Sequence, residues 1–183
     1  MVRYSKLSFR TLVRRYGCDL AYTPMIVSDS FVKSVKARDM EFTTNPADRP
    51  LIVQFAASNP KDFADAAEII APFSDGVDLN CGCPQRWAMQ EGYGAKLIRT
   101  PGLIKDIVRQ TVARVPGFPV SIKIRIHDDL RCNGCQRNFE QSSNVCRVSL
   151  NSSAMCHRLD RRVFSELKSL PAVLEYLRVN YNI

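Results

Sequence analysis

The sequence contains no apolar run near the roughly 20 residues that a membrane-spanning helix needs, and no secretory core follows its start. We therefore expect a cytoplasmic protein, with a nuclear or mitochondrial location left open. Its seven cysteines are an odd number, which without a secretory segment favours reduced thiols. No G-x-G-x-x-G follows an apolar segment, which argues against a dinucleotide-binding Rossmann domain.

The length and composition fit one globular domain with an ordinary core. The chain has 183 residues, of which 45% are hydrophobic and 24% are charged. Its formal net charge of +8 suits a polyanionic partner such as RNA, although many basic proteins bind no nucleic acid. Residues 1–18 are basic without an acid, which resembles a mitochondrial transit helix; a basic surface helix is the favoured interpretation.

Strand and helix patterns alternate along residues 1–130. Pro60 and Pro101 each begin an amphipathic segment, as prolines do at the first position of helices. Helices are predicted at 3–16, 29–37, 59–70 and 101–115, and strands at 18–26, 50–57, 76–80 and 119–127. This alternation of strands and helices predicts a parallel sheet, either doubly wound or part of a (β/α)₈ barrel. Polar residues at successive strand ends favour the barrel, whose active site lies where those ends converge: Gln54, Asn80, Cys83, Lys123 and Arg125.

Two cysteines stand at the end of the strand predicted at 76–80. Cys81 and Cys83 are two positions apart, so on an extended chain their side chains would point the same way. This is not C-x-x-C, so neither a zinc knuckle nor a thioredoxin motif is indicated. A later group of potential metal ligands begins with Cys132 and Cys135, whose spacing is typical of zinc sites. The rest of that group has no matching pair, so a disordered linker is favoured over a metal site.

Four motifs in order resemble the tRNA-dihydrouridine synthases. They read VQFAA at 53–57, DLNCGCPQ at 78–85, EGYGAKLI at 91–98 and VSIKIRIHDD at 120–129. The wording is most similar to the branch that acts on uridines 20a and 20b of the tRNA D-loop. The resemblance implies an FMN-dependent TIM-type barrel that reduces uracil in tRNA, with NADPH as the reductant.

The resemblance also implies residue roles. Reducing the C5–C6 bond of uracil needs a proton at C5, and a cysteine thiol, mostly protonated at neutral pH, can donate it. The resemblance places this role on Cys83, whereas an isolated cysteine would more often be an inert buried thiol. Cys81 is interpreted as a packing residue. For the cofactor and the substrate, the expected contacts are flavin binding by Met1, Val2, Gln54 and Lys123, and substrate binding by Asn80 and Arg125.

The chain departs from the family pattern at both ends. We expect a partial FMN-binding barrel domain at 1–130, a disordered junction at 131–160 and a C-terminal helical remnant at 161–183. About four of the eight barrel strands are expected, and the segments that bind the FMN phosphate in the family are not matched. The interpretation is an N-truncated, internally deleted form whose own activity is left open. The alternative is a noncatalytic basic α/β fragment that binds RNA or a protein partner without flavin.

Overall fold

One parallel sheet organises the part of the protein that is described, which in this computed structural model is residues 4–124 together with the backbone of 146–150. Every strand pairing in it is parallel, and the order is β1-β3-β4-β5-β6, with β2 also paired to β3. The strands are β1 (Ala21–Tyr22), β2 (Ile26–Val27), β3 (Leu51–Ala56), β4 (Gly76–Cys81), β5 (Val120–Ile124) and β6 (Cys146–Leu150).

Helices connect β2 to β3, β3 to β4 and β4 to β5, and the helix after β3 begins at a side-chain cap. The Asn59 side chain accepts a hydrogen bond from the Lys61 backbone N–H over 2.9 Å, and Pro60 occupies the first helical position. The helices are α1 (Leu7–Arg14), α2 (Ser28–Lys33), α3 (Val35–Glu41), α4 (Pro60–Ile70), α5 (Arg86–Gln90) and α6 (Pro101–Arg114), with 3₁₀ segments at Ala71–Phe73 and Gly94–Arg99. The predicted alternation of parallel strands and helices is thus confirmed over these residues.

Two predicted elements are interrupted for local reasons. The strand expected at 18–26 is divided into β1 and β2 around Pro24, which has no N–H to donate to the ladder. The helix expected at 29–37 is divided at Ser34, whose backbone is extended. The Ser34 hydroxyl then accepts a hydrogen bond from the Ala37 N–H over 3.2 Å and so caps α3.

The outward face of the sheet forms the core against α4 and α6. Alternate residues of the strands, such as Val53, Leu79 and Ile122, are buried in one cluster with Phe63 of α4 and Ile107 of α6. The inward face carries polar residues instead. The sheet therefore has an apolar face that packs against helices and a polar face on the inside, as in half of a barrel. This arrangement places the polar side chains together on the inner face.

Helix α1 is anchored by a buried ion pair and is not simply a basic surface helix. The Arg10 side chain is 2% exposed and its Nη2 lies 2.7 Å from the Asp48 carboxylate, which Arg14 also reaches over 3.3 Å. Arg10 donates further hydrogen bonds to the carbonyl oxygens of Ser5 and Thr43. The basic residues of this segment therefore include structural ones, which the charge pattern alone did not distinguish.

Strand β6 lies within the segment expected to be a disordered junction. Its backbone pairs with β5 in register, with Val120 beside Cys146 and Ile124 beside Leu150. The apolar alternation of Cys146, Val148 and Leu150 is a strand signal that the sequence interpretation did not use. The rest of 131–160, including the remaining candidate zinc ligands, and the helical remnant at 161–183 lie outside the described residues, so the domain boundaries stay predictions.

Two properties of the described residues bear on other expectations. No helix there combines the length and apolar character needed to cross a bilayer. Cys81 and Cys83 are free thiols, as expected for reduced cysteines.

Candidate active site

Three polar side chains from adjacent strands meet on the inward face of the sheet. The strand register places Gln54 beside Asp78 and Asp78 beside Ser121. Gln54 Nε2 donates a hydrogen bond to Asp78 Oδ2 over 2.7 Å, and Ser121 Oγ donates to Asp78 Oδ1 over 2.6 Å. Each carboxylate oxygen therefore has a donor, and the Gln54 amide is held in one orientation.

A second polar row lies one pleat closer to the carboxyl ends of the strands. Asn80 and Lys123 are register partners on β4 and β5. Asn80 Nδ2 donates to Gln54 Oε1 over 2.9 Å, which joins the two rows. The Lys123 ammonium makes no hydrogen bond or ion pair with another described residue. It is half-buried, so its charge is available to a group at the mouth of the half-barrel.

Burial controls the protonation of this network. Desolvation raises the pKa of Asp78 to about 6, although hydrogen bonds from Ser121 and Gln54 and the charge of Lys123 oppose the rise. Burial, and then the charge of Asp78, raises the pKa of Tyr22 to about 12. At neutral pH the Tyr22 hydroxyl is therefore neutral, and Asp78 is the ionised centre to which Lys123 is complementary.

Asn80 also fixes the loop that carries Cys83. Its Oδ1 accepts hydrogen bonds from the backbone N–H groups of Gly82 over 3.0 Å and Cys83 over 2.9 Å. One buried asparagine thus connects the inner network to the loop backbone, because its amide nitrogen contacts Gln54 and its amide oxygen holds the loop.

The two cysteines of the loop occupy different environments. Cys81 is fully buried among the apolar residues behind the sheet, as expected for packing. Cys83 is half-buried, and its Sγ lies 3.9 Å from Gln85 Oε1. The expectation that both thiols point the same way is wrong, because β4 ends at Cys81 and the Asn80 hydrogen bonds turn the backbone beyond it.

The segment after α5 supports Cys83 from the other side. The Ala95 N–H donates to the Cys83 carbonyl oxygen over 2.9 Å. Gly94 has a φ of +63°, and a Cβ at this position would lie 2.5 Å from that oxygen and 2.8 Å from the Cys83 Cβ. The EGYGAKLI motif therefore packs its second glycine directly against the cysteine loop.

The network at the site includes three residues that the sequence motifs do not predict as site residues: Asp78, Ser121 and Tyr22. Asp78 could have been identified from the sequence, because it is an acidic residue in the otherwise buried segment GVDLN. A charged side chain in a buried strand needs polar partners. Ser121 and Tyr22 gave no comparable signal. They become part of the site only because β1, β4 and β5 bring them together in the folded sheet.

Four of the seven candidate residues lie at the carboxyl end of the sheet. Gln54, Asn80 and Cys83 are linked by hydrogen bonds, and Lys123 is adjacent to Asn80. Their roles toward a flavin or a uracil stay predictions. The remaining candidates lie outside the described residues: Met1, Val2 and Arg125.

Comparison with known proteins gives this arrangement a family. The family model described as Dihydrouridine synthase (Dus) matches residues 1–150. The chain belongs to the dihydrouridine synthase family. Since the family has the TIM-barrel fold, the parallel half-barrel sheet seen here agrees with the predicted fold class.

Curated members of the dihydrouridine synthase family cover much of the chain. A human protein named "tRNA-dihydrouridine(20a/20b) synthase [NAD(P)+]-like" is 67% identical over 133 residues, which are 72% of this chain and 42% of that protein. The Schizosaccharomyces pombe protein named "tRNA-dihydrouridine(20a/20b) synthase [NAD(P)+]" is 38% identical over 179 residues, 97% of this chain and 52% of its own length.

A curated relative whose name specifies a different pair of uridines also matches the chain. The Saccharomyces cerevisiae protein named "tRNA-dihydrouridine(16/17) synthase [NAD(P)(+)]" is 37% identical over 166 residues, 89% of this chain and 37% of its own length. The chain thus spans about half or less of the length of these curated relatives.

Proposed function

We propose that this chain carries the ring-binding and proton-donating part of an FMN-dependent tRNA-dihydrouridine synthase. The reaction would reduce uridine to 5,6-dihydrouridine in the tRNA D-loop, with NADPH as the reductant. Membership of the family supports the reaction class. The observation that carries the proposal is the Asn80 side chain, which joins the Gln54 amide to the backbone of the Cys83 loop.

The residues at the mouth of the half-barrel fit the pyrimidine edge of a flavin ring. Gln54 uses its amide oxygen and one N–H within the network, so a second N–H can be donated to a carbonyl oxygen of the ring. The half-buried Lys123 ammonium suits the N1–C2 edge, which becomes negative on reduction. When bound, the reduced flavin would supply the hydride that reaches C6 of uracil.

Cys83 would complete the reduction by donating its Sγ proton to C5 of uracil. As the hydride reaches C6, the C5–C6 π bond would break, and its electron pair would form the new C5–H bond with the thiol proton. The thiolate would then be protonated again from solvent. Its half-buried position serves both contacts, because the base and water must each reach the sulfur. Asn80 would act as a positioning residue, since it holds the Cys83 backbone.

The proposed target is the pair of uridines 20a and 20b. The human and S. pombe relatives carry that target in their names, and the human protein is 67% identical over the aligned region. Uridines 16 and 17 are the competing target, since a relative named for those positions is 37% identical. Mapping dihydrouridine positions in tRNA separates the two.

Flavin titration of the polypeptide of residues 1–183 is the direct test of the ring contacts. We expect FMN binding that is weaker than in an intact relative, because ring contacts alone must offset the entropy of immobilising the cofactor. Lys123→Met and Gln54→Leu should weaken it further, and Lys105→Met on the exposed face of α6 is the matched control. Quenching of flavin fluorescence measures each affinity.

The catalytic assignment is tested by the dihydrouridine content of tRNA after incubation with NADPH. We expect no detectable product from residues 1–183 alone. In an active, longer form with the same motifs, Cys83→Ala should lower the rate by roughly 10²–10⁴ with FMN retained, whereas Cys81→Ala should have a small effect. A larger loss from Cys81→Ala would reverse the assignment. RNA binding without any FMN binding would favour the noncatalytic alternative.

A further inference from the structure

A cavity lined in part by Trp87 lies near the cysteine loop and shares no residue with the polar rows. It has a volume of about 370 Å³, near the lower end of the range of small-molecule pockets. Residues of β2, α2, α3 and α5 surround it together with Met25. Those that matter for its chemistry are Met25, Ser30, Phe31, Met40, Glu41 and Trp87.

One wall of the cavity, Trp87, is linked to the Cys83 loop through Gln85. The Trp87 Nε1–H donates a hydrogen bond to Gln85 Oε1 over 2.7 Å, and the same oxygen lies 3.9 Å from Cys83 Sγ. Both the cavity and Cys83 therefore lie at the carboxyl end of the sheet. A molecule bound to Cys83 would have its neighbouring groups within reach of Trp87.

The walls of the cavity favour a flat aromatic ligand. Trp87 is 42% exposed and Met40 is 64% exposed, although both are large apolar side chains. The indole N–H is already paired with Gln85, so Trp87 offers apolar ring surface to an occupant. Stacking of a nucleobase on such a ring is favourable and tolerant of sequence.

The polar groups at the cavity indicate which edge an occupant would present. The exposed Glu41 carboxylate makes no ion pair with a described residue, and it accepts hydrogen bonds but cannot donate them. It therefore favours an exocyclic amine, which presents two N–H donors, over uracil, whose single N3–H lies between two carbonyl oxygens that a carboxylate repels. It also repels a phosphate within the cavity. Arg86, exposed and adjacent in sequence to Trp87, suits the phosphate that such a base would carry outside it.

We propose that this cavity is a subsite for a second nucleobase of the RNA, one with an exocyclic amine, stacked on Trp87. The proposal rests on the proposed function, because it takes RNA to be the molecule that Cys83 acts on. A nucleotide near the reacting uridine would be anchored there, which would help offset the few kcal/mol needed to extrude a base from its stack.

Trp87 is the single tryptophan of the chain, so its emission reports the cavity directly. The experiment titrates residues 1–183 with single-stranded hexacytidylate or hexauridylate. Tryptophan emission is followed with unlabelled RNA, and total binding is followed by the anisotropy of labelled RNA. These two RNAs differ at C4 of the base, an amine in cytosine and a carbonyl in uracil, and at N3, an acceptor in cytosine and an N–H donor in uracil. We expect stronger quenching and tighter binding with hexacytidylate.

Variants assign the effect to the cavity. Trp87→Ala should weaken RNA binding by roughly 5- to 150-fold, and Trp87→Phe should stay near the wild-type affinity. Glu41→Leu should remove the preference for cytidylate while quenching remains. Phe73→Ala is the matched control, since Phe73 is 55% exposed but precedes the amino end of β4. Circular dichroism of each variant reports whether the fold is kept.

The two readouts separate the possible failures. RNA binding seen by anisotropy with unchanged Trp87 emission, or with an unchanged affinity in Trp87→Ala, would overturn the subsite and leave the proposed function standing. The absence of any anisotropy change would count against both. An equal loss of affinity in Phe73→Ala and Trp87→Ala would also overturn the subsite.

Discussion

Gly94 shows how one backbone position can control a reactive side chain. At a φ of +63° any other residue is strained, and here the added Cβ would also overlap the Cys83 backbone. Gly92 has a similar φ of +83°, but a Cβ there would meet only the Ser58 side chain at 3.4 Å. The two glycines therefore share the conformational cost and differ in the contact with the cysteine loop.

Replacement of these glycines separates strain from displacement. Gly94→Ala and Gly92→Ala should each destabilise the fold by about 1–2 kcal/mol through the left-handed conformation. Only Gly94→Ala should also push the Cys83 loop away from the Gly94–Arg99 segment and raise the alkylation rate of Cys83 by iodoacetamide. Peptide-resolved mass spectrometry measures that rate. Equal Cys83 rates in the two variants would refute the positioning role of Gly94.

Asp78 makes the stability of the fold depend on pH. Burial raises the pKa of its carboxyl from the ordinary aspartate value of 3.8 to about 6, so between these values the folded state binds more protons than the unfolded state. The contribution of Asp78 to the free energy of unfolding therefore falls as pH rises from about 4 to about 7. The total loss is on the order of 3 kcal/mol.

Asp78→Asn should remove this dependence. Asparagine can still accept from Gln54 and can donate to Ser121, so the network is kept without the buried charge. The stability of the variant relative to the wild type should increase as pH rises from 4 to 7, as measured by urea unfolding at several pH values. Asp106→Asn, at an exposed position of α6, serves as the control. A difference that stays constant with pH would contradict the prediction.

At the scale of elements, the attachment of α1 depends on one buried ion pair. Arg10 and Asp48 have side chains that are 2% and 1% exposed, and the two residues join α1 to the loop before β3. Removing one partner leaves the other charge buried without compensation, which is more costly than removing both. The pair therefore connects the first helix to the sheet more firmly than the apolar contacts of such a short helix would.

Asp48→Asn should lower the free energy of unfolding by about 3–5 kcal/mol. The comparison is Asp29→Asn, which removes the exposed pair that Asp29 forms with Lys33 within α2 and should have no measurable effect. Thermal and urea unfolding of both variants provide the measurement. A loss at Asp48 no greater than at Asp29 would show that the α1 attachment rests on other contacts.

At the scale of the whole molecule, the described sheet has two strand edges without partners. Among the described strands, β6 pairs with β5 alone, and both β1 and β2 pair with β3 alone. Unpaired edges of parallel strands expose backbone groups that can pair with another chain. The half-barrel is therefore open within these residues, unlike a closed (β/α)₈ barrel.

The polypeptide of residues 1–183 should associate through these edges. We expect concentration-dependent oligomers at micromolar concentration in sedimentation velocity experiments, with dissociation on dilution. Non-covalent edge pairing should be insensitive to reducing agent, and this control excludes disulfide exchange. A monodisperse monomer that unfolds cooperatively at the same concentration would contradict the expectation.

The alternation of strands and helices, and the position of the site along the chain, follow from local features of the sequence. Asn59 with Pro60 marks a helix start, and the apolar segment at 50–57 is a strand that is buried on its outer face. These features are local, because caps and hydrophobic periods depend on neighbours within a few residues. For the same reason Gln54, Asn80 and Lys123 could be assigned to the ends of parallel strands before any contact was known.

The connections between those residues depend on contacts that form only in the folded sheet. Asp78 became the centre of the network because the register places it between Gln54 and Ser121, and a one-residue shift would have turned it toward the core. Cys81 and Cys83 separated because Asn80 turns the backbone between them, and Gly94 reached Cys83 only through the fold. Such contacts join residues that are distant in sequence, and periodicity carries no information about them.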